Sequence, residues 1–302
     1  MSDNPRALVV LATGPLTTVQ DLGRHRHSHL GVGRSGAADR RALRLANRLV
    51  ANPEGAAGLE VTLGGLKVRA TGDLLVALTG APCPATVTDA EGRTRFIGHA
   101  SVERLPHGAT LRLGVPSHGL RTYLAVRGGI DVPEVLGSRA TDLLSGLGPE
   151  RPAPGSVLPV GPAPAKFPVT DFAPVPAPES GVLVLDVIPG PRHDWFRPEA
   201  LRALCAEPYE VTAQSDRVGM RLRGPRLERA RDGELPSEGV VPGALQVPPS
   251  GQPTLFLADH PVTGGYPVIA VLRDHDIDRA AQARPGQRVR FRVARAGVHL
   301  AR

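Results

Sequence analysis

Glycine and proline interrupt this chain so often that no long regular element can be built from it. Its 302 residues include 35 Gly and 31 Pro. Each Pro removes a backbone donor, and each Gly weakens the interior of a helix or strand. The glycines follow no collagen-like period, so the interruptions read as turns. The expected fold class is mainly β with a few short helices, built from short strands rather than a helical bundle. Hydrophobic residues make up 41% of the chain, enough for a core, but aromatics only 3%. That core must therefore come from Val, Leu, Ala and Ile.

Periodicity places the elements. Leu74 to Leu78 is a continuous apolar run ended by Thr79-Gly80, Tyr123 to Val126 precedes Gly128-Gly129, and Val182 to Ile188 precedes Pro189-Gly190. Val289, Phe291 and Val293 alternate with Arg290 and Arg292, the period-two pattern of a half-buried strand. A helix is predicted over about Ala37 to Val50, with Ala42, Leu45, Ala46, Leu49 and Val50 on one face and Arg40, Arg41, Arg44 and Arg48 on the other. Asp39 stands in its first turn, where the dipole favours a carboxylate, and Asn52-Pro53 stops it. Shorter helices are predicted from Pro198 to Cys205 and from Asp276 to Ala283.

The proline-dense stretch from Pro149 to Ser180 has few periodic apolar positions and reads as a stiff, extended linker. It divides the chain into an N-terminal β-rich lobe over residues 1–150 with one amphipathic helix, a linker over 151–180, and a C-terminal lobe over 181–302.

The net charge of +7 invites a nucleic-acid reading. The charge is almost all Arg, scattered from Arg6 to Arg302 with only Lys67 and Lys166 beside it, and aromatics for base stacking are scarce. No nucleic-acid partner is expected. No apolar stretch approaches the roughly 20 residues of a membrane helix, and no signal peptide opens the chain. The expectation is a soluble cytoplasmic protein, with Cys83 and Cys205 reduced.

Several motifs are missing. Neither lysine sits in a Gly-rich phosphate loop or beside a Met as a biotinylated lysine would, and no Ser stands in a G-x-S-x-G elbow. His25, His27 and His29 alternate as ligands on one strand face would. They lie in a Gly-flanked loop with Arg26 between them and no nearby carboxylate but Asp21. A solvated loop is the better account, and no metal is expected.

Three stretches together resemble one family. The first is Gly14-Pro15-Leu16-Thr17-Thr18-Val19-Gln20-Asp21-Leu22-Gly23-Arg24, followed by His29-Leu30-Gly31-Val32 and Ser35-Gly36-Ala37-Ala38-Asp39-Arg40. The second is Gln214-Ser215-Asp216-Arg217-Val218-Gly219-Met220-Arg221-Leu222. The third runs from Ser237-Glu238-Gly239 to Gln246-Val247-Pro248, then Gly251-Gln252-Pro253 and Thr263-Gly264-Gly265-Tyr266-Pro267. In order and spacing they are similar to the KipA-like, biotin-dependent carboxyltransferase family. That family comprises the C subunit of bacterial 5-oxoprolinase and the matching half of the carboxyltransferase domain of urea carboxylase. The resemblance implies two β-rich lobes with cyclophilin-like barrel character. It also implies two partners, a KipI-like B component and a LamB/YcsF-like A component, and ATP-dependent opening of 5-oxoproline to glutamate. ATP would be bound by the complex, with no site expected on this chain alone. Two alternatives follow from the same resemblance. One is the carboxyltransferase subunit of a biotin-dependent urea or amide carboxylase, which would gain from a cation where Val268 follows Pro267. The other is a regulatory protein that binds a KipI-like kinase inhibitor.

5-Oxoproline is a small lactam with one carboxylate, so its site needs a cation, amide-pairing groups and a proton acceptor. Arg217 and Arg221 offer bidentate carboxylate recognition, and Gln214, Gln246 and Gln252 offer paired donors and acceptors. Asp216 or Asp259 could accept a proton, and His260 could act near neutral pH. Ser215, Glu238 and Tyr266 complete the polar set, and Gly264-Gly265 would let a ligand approach the backbone. Gln214 to Arg217 could equally be a turn that bonds its own backbone. Ser35 lies just ahead of the helix start and Asp39 in its first turn, where an anion site and plain capping are both open.

Overall fold

A computed structural model of the protein describes residues 6–231, 233 and 235–294. The chain divides into two compact units, Met1–Glu179 and Ser180–Arg302.

The first unit contains β1 (Ala7–Thr13), β2 (Leu16–Gln20), α1 (Arg40–Leu49), β3 (Gly58–Thr62), β4 (Leu66–Ala70) and β5 (Leu74–Gly80). It continues through β6 (Ala85–Thr88), β7 (Thr94–Phe96), β8 (Val102–Leu105), β9 (Thr110–Leu113), β10 (Arg121–Val126) and β11 (Val157–Pro159). These strands form two sheets, ordered β11-β1-β4-β9-β6-β7 and β2-β3-β10-β5-β8. Alternation sends Leu8, Val10, Leu66 and Val68 of one sheet and Val19, Leu59, Val61, Leu124 and Val126 of the other into one core. The outer face of the second sheet is covered too, because α1 lays Ala42, Leu43, Ala46 and Leu49 on Tyr123, Ala125 and Ala77. Every residue of β10 is therefore buried.

The helix starts and stops near its predicted bounds, but its buried face includes Leu43 and Asn47, while Leu45 is half-buried. Asn47 is polar yet inside because its amide donates to Glu54 O and Ala56 O and closes the loop after the helix. The proline-rich stretch is not a free linker. β11 pairs with β1, the Asp171 carbonyl accepts from Val102 N–H, and Ala173 N–H donates to Ala100 O. Arg127 adds bonds to the Pro164 and Lys166 carbonyls. An extended proline backbone still offers carbonyls and alternate N–H groups, so it covers a sheet edge instead of leaving it.

The second unit comprises β12 (Leu183–Pro189), α2 (Ala200–Ala206), β13 (Tyr209–Val211), β14 (Gly219–Arg223), β15 (Glu238–Gly239) and β16 (Ala244–Gln246). Then follow β17 (Thr254–Phe256), β18 (Thr263–Gly264), β19 (Val268–Leu272), α3 (Asp274–Ala280) and β20 (Arg288–Val293). Seven of its strands close a barrel in the order β12-β19-β16-β17-β14-β13-β20, sealed by parallel pairing of β12 with β20. Closure removes exposed sheet edges. Leu185, Val187, Leu222, Leu245, Leu255, Ile269, Val289 and Phe291 fill the interior. β20 keeps the predicted alternation at Val289 and Phe291, buried between exposed arginines, whereas Val293 at its end is exposed. β15 and β18 form a separate two-stranded ribbon, with Glu238 opposite Gly264 and Gly239 opposite Thr263. The fold is mostly β. Barrel closure is complete in the second unit, whereas the first is two stacked sheets.

Candidate functional site

The first family-like stretch is a latch. Asp21 accepts from Gly23 N–H and Ser138 Oγ, each at 2.7 Å, and from Arg139 N–H at 2.6 Å. Gln20 donates to Thr141 O at 2.8 Å, and buried Arg24 donates to Ala140 O at 2.5 Å. Gly36, at φ 91°, lies so close to the Gly23 backbone that a Cβ there would meet its nitrogen at 2.6 Å. Asp39 caps α1, accepting from Ala42 N–H at 2.9 Å. Its own N–H donates to Tyr123 Oη, which in turn donates to Glu60 Oε2, both at 2.7 Å. Glu60 also accepts from Ala38 N–H and pairs with Arg121 at 3.4 Å. Burial, followed by the nearby Glu60 charge, pushes the Tyr123 hydroxyl well above its usual value. Ser35 is buried at φ 52° in the same loop. Of the two readings for Asp39, the structure displays capping. Asp39 belongs to the network that docks the helix on its sheet, and Ser35 Oγ donates to Thr141 O at 3.4 Å.

The second stretch takes the turn reading. Asp216 Oδ1 accepts from Val218 N–H at 2.8 Å and Gly219 N–H at 3.0 Å, and Ser215 Oγ accepts from Arg221 N–H at 3.1 Å. Gln214 is exposed on that turn, and Arg221 is exposed on β14. Arg217 points inward. It is 1% exposed, and its Nε and Nη2 each donate to Asp259 at 2.9 Å. Both members of this bidentate pair are buried, so the geometry gives Arg217 an internal carboxylate, Asp259, in place of the expected substrate carboxylate. It likewise engages Asp259 as an ion-pair partner rather than a proton acceptor. His260 is buried against Phe256, with Nδ1 at 2.7 Å from Pro261 O. Gln252 brackets the backbone of Gly224, accepting from its N–H and donating to its carbonyl. These groups hold the barrel wall and its turns.

The third stretch converges on the ribbon. Gln246, buried on β16, donates to Tyr266 O at 3.0 Å. A Cβ on Gly264 would lie 2.5 Å from Gln246 Nε2, so a side chain there would push the Gln246 amide aside. Tyr266 is half exposed; the Arg229 guanidinium lies 5.7 Å from its ring centre and donates to Val247 O at 2.7 Å. Glu238 is bound by Arg192, whose Nε lies 2.9 Å from each carboxylate oxygen and whose Nη2 adds a further bond. That hydrogen bonding holds the Glu238 carboxyl below its usual range against the smaller effect of desolvation, so both partners are charged at neutral pH. Glu238, Gln246, Gly264, Gly265 and Tyr266 are thus brought together, and Arg192 and Arg229 join them. Sequence reasoning missed both arginines, which lie outside the quoted motifs.

Two ribbon glycines are not needed by the fold. Neither Gly239 nor Gly265 has positive φ. A Cβ on Gly239 would meet nothing within 4 Å, and one on Gly265 would meet only Leu235 O, at 3.5 Å. Bare backbone at such positions leaves room for close approach from outside.

Metal ligation has a poorer basis. His25 to His29 form a loop and a single 3-10 turn rather than one strand face. Ligand atoms of Asp186, His275 and Asp276 lie within 4.8 Å of one another. Arg292 bonds Asp186 at 2.7 Å and Arg279 bonds Asp276 at 2.5 Å, so two guanidinium groups already supply the positive charge. Cys83 and Cys205 are both free and half-buried. No helix among the described residues is long and apolar enough to cross a membrane.

Two β-rich units, one of them a closed barrel with a two-stranded ribbon beside it, make up the described fold. The sequence matches the family described as carboxyltransferase domain, subdomain A and B, over residues 30–293, and the chain belongs to that family. It is 40% identical to the 5-oxoprolinase C subunit of Escherichia coli strain K12, across 94% of this chain and 90% of that protein. Among solved structures it is similar to TTHA0988, with TM-score 0.85 and 39% identity over 97% of this chain. It is also similar to Kluyveromyces lactis urea carboxylase, with TM-score 0.89 and 31% identity over 96% of this chain. The chain spans 56% of the TTHA0988 chain and 28% of the urea carboxylase chain.

Proposed function

We propose that this chain is the C subunit of an ATP-dependent 5-oxoprolinase, acting with KipI-like and LamB/YcsF-like partners to open 5-oxoproline to glutamate. The observation that carries this reading is sequence identity. The chain is 40% identical to a 5-oxoprolinase C subunit over 292 residues. Its identity to the Lachancea kluyveri urea amidolyase is 32% over 319 residues. Val268 also favours lactam chemistry. It is 7% exposed and packs with Ala244 and Phe256, so no cation stands after Pro267 for carboxybiotin chemistry.

The ribbon is the proposed substrate-shaping surface. Bare backbone at Gly239 and Gly265 admits a small ring, and Tyr266 offers it an aromatic wall whose backbone is fixed by Gln246. Phosphate chemistry is assigned to the partners, because this chain lacks a Gly-rich phosphate loop. A split site of this kind makes the isolated chain inactive. ATP-dependent glutamate release from 5-oxoproline tests the proposal, using the three proteins co-expressed and then with each omitted. Release that stops when this chain is left out supports it. No release from an assembled complex would turn the assignment toward biotin-dependent carboxylation of urea or another amide, or toward the regulatory role.

A further inference from the structure

We infer that Arg192 is the carboxylate-recognising cation of the ribbon site, and that Glu238 occupies it as an internal stand-in until a substrate carboxylate takes its place. The inference rests on the 5-oxoproline reading and assigns a cation role that the sequence motifs offered to Arg217 and Arg221.

Three observations carry it. First, the Arg217 and Arg192 guanidinium groups are in opposite states. Arg217 and Asp259 are both 1% exposed, and separating them would strand a buried charge. The Arg192 and Glu238 side chains are 39% and 33% exposed, so either can be rehydrated if the other is displaced. A solvent-facing pair has little net strength to lose on exchange. Second, the geometry is already that of carboxylate recognition. Arg192 presents Nε and Nη2 together to one carboxylate, the fork a free carboxylic acid would use. Third, the pair stands where the backbone is bare. Glu238 lies opposite Gly264 and next to Gly239, whose missing side chain leaves space the fold does not require. The Arg192 backbone is fixed by its N–H bond to Val268 O at 3.2 Å, so the guanidinium extends from a held position.

The exchange is non-covalent and conserves charge. The substrate carboxylate bonds Arg192, and Glu238 turns to water still ionised. Arg229 takes no part, since it is committed to Val247 O and the Tyr266 ring.

Opposite substitutions separate this role from a structural one. If the pair were a structural clip, Arg192→Gln and Glu238→Gln would break the same bond and have the same effect. As cation and stand-in they have opposite effects on KM. In the assembled complex, Arg192→Gln is expected to raise the KM for 5-oxoproline roughly 10- to 100-fold, the worth of a charge-assisted bidentate contact. Glu238→Gln is expected to lower it severalfold. Discrimination between 5-oxoproline and 2-pyrrolidinone, the same lactam without its carboxylate, should collapse in Arg192→Gln and survive in Glu238→Gln. Changes of KM in the same direction for both variants, or unaltered discrimination in Arg192→Gln, overturn the inference and leave the oxoprolinase reading standing. A wild-type complex that releases no glutamate overturns both.

Discussion

Replacing Arg217 with alanine tests how the second family-like stretch is used. The substitution leaves Asp259 buried, 1% exposed, without the two 2.9 Å bonds that now neutralise it. Removing one partner of a buried pair costs about 3–5 kcal/mol. In a unit of roughly 120 residues, each kcal/mol moves the midpoint by about 3–5 °C, so a fall of roughly 9–25 °C is expected for the barrel unit. Arg217→Lys keeps a charge but loses the planar fork, and should lie between alanine and wild type. The double change Arg217→Met with Asp259→Leu removes both charges and should recover much of the loss, because buried pairs often exchange for apolar residues without penalty. Scanning calorimetry with urea titration measures all four proteins. If Arg217→Ala melts like wild type while the complex loses affinity for 5-oxoproline, the internal-pair account is refuted and Arg217 returns to the substrate.

Further expectations follow from other groups. Gly264→Ala would drive a Cβ to 2.5 Å from Gln246 Nε2 and dislodge its bond to Tyr266; the complex should lose activity with little change in thermal midpoint, which paired activity and melting assays check. Glu60→Gln removes the charge shared by Tyr123, Ala38 N–H and Arg121. It should destabilise the first unit by about 2 kcal/mol or more, read by urea unfolding. The His99 imidazole is pushed down by burial, partly offset by a hydrogen bond with the Gly80 backbone. Its folded pKa lies below the unfolded value of about 6.5, so the unfolded chain takes the proton first and stability falls as pH drops below that value. His99→Gln should flatten that part of the stability–pH curve, and an unchanged slope would assign it to another group.

Patterns that depend on near neighbours were legible in the sequence. The alternation of Val289 and Phe291 in β20, the continuous run of β5 and the presence of α1 within residues 37–50 all came from residues within one element. What escaped depends on distant partners. The Pro149–Ser180 stretch read as a linker because its bonds go to Val10, Ala100, Val102 and Arg127, far back in the chain. Arg217 read as a substrate clamp because Asp259, 42 residues on, could not be seen facing it. Arg192 drew no notice because its partner Glu238 lies 46 residues away. Among the candidates, Glu238, Gln246, Gly264, Gly265 and Tyr266 come together at the ribbon. Gln214, Ser215 and Asp216 form a turn to which Arg221 of β14 donates its backbone N–H, and Gln252 braces another backbone.

The central claim is that the ribbon of this chain meets the substrate of a shared enzyme. The most direct measurement is the KM for 5-oxoproline of the assembled complex carrying Gly239→Val. The fold has open space at that position, so the side chain should leave the melting temperature unchanged. The account predicts a KM raised about tenfold or more, the loss of at least one good contact. Wild-type KM with a correctly folded Gly239→Val chain would contradict it and remove the ribbon from the active site.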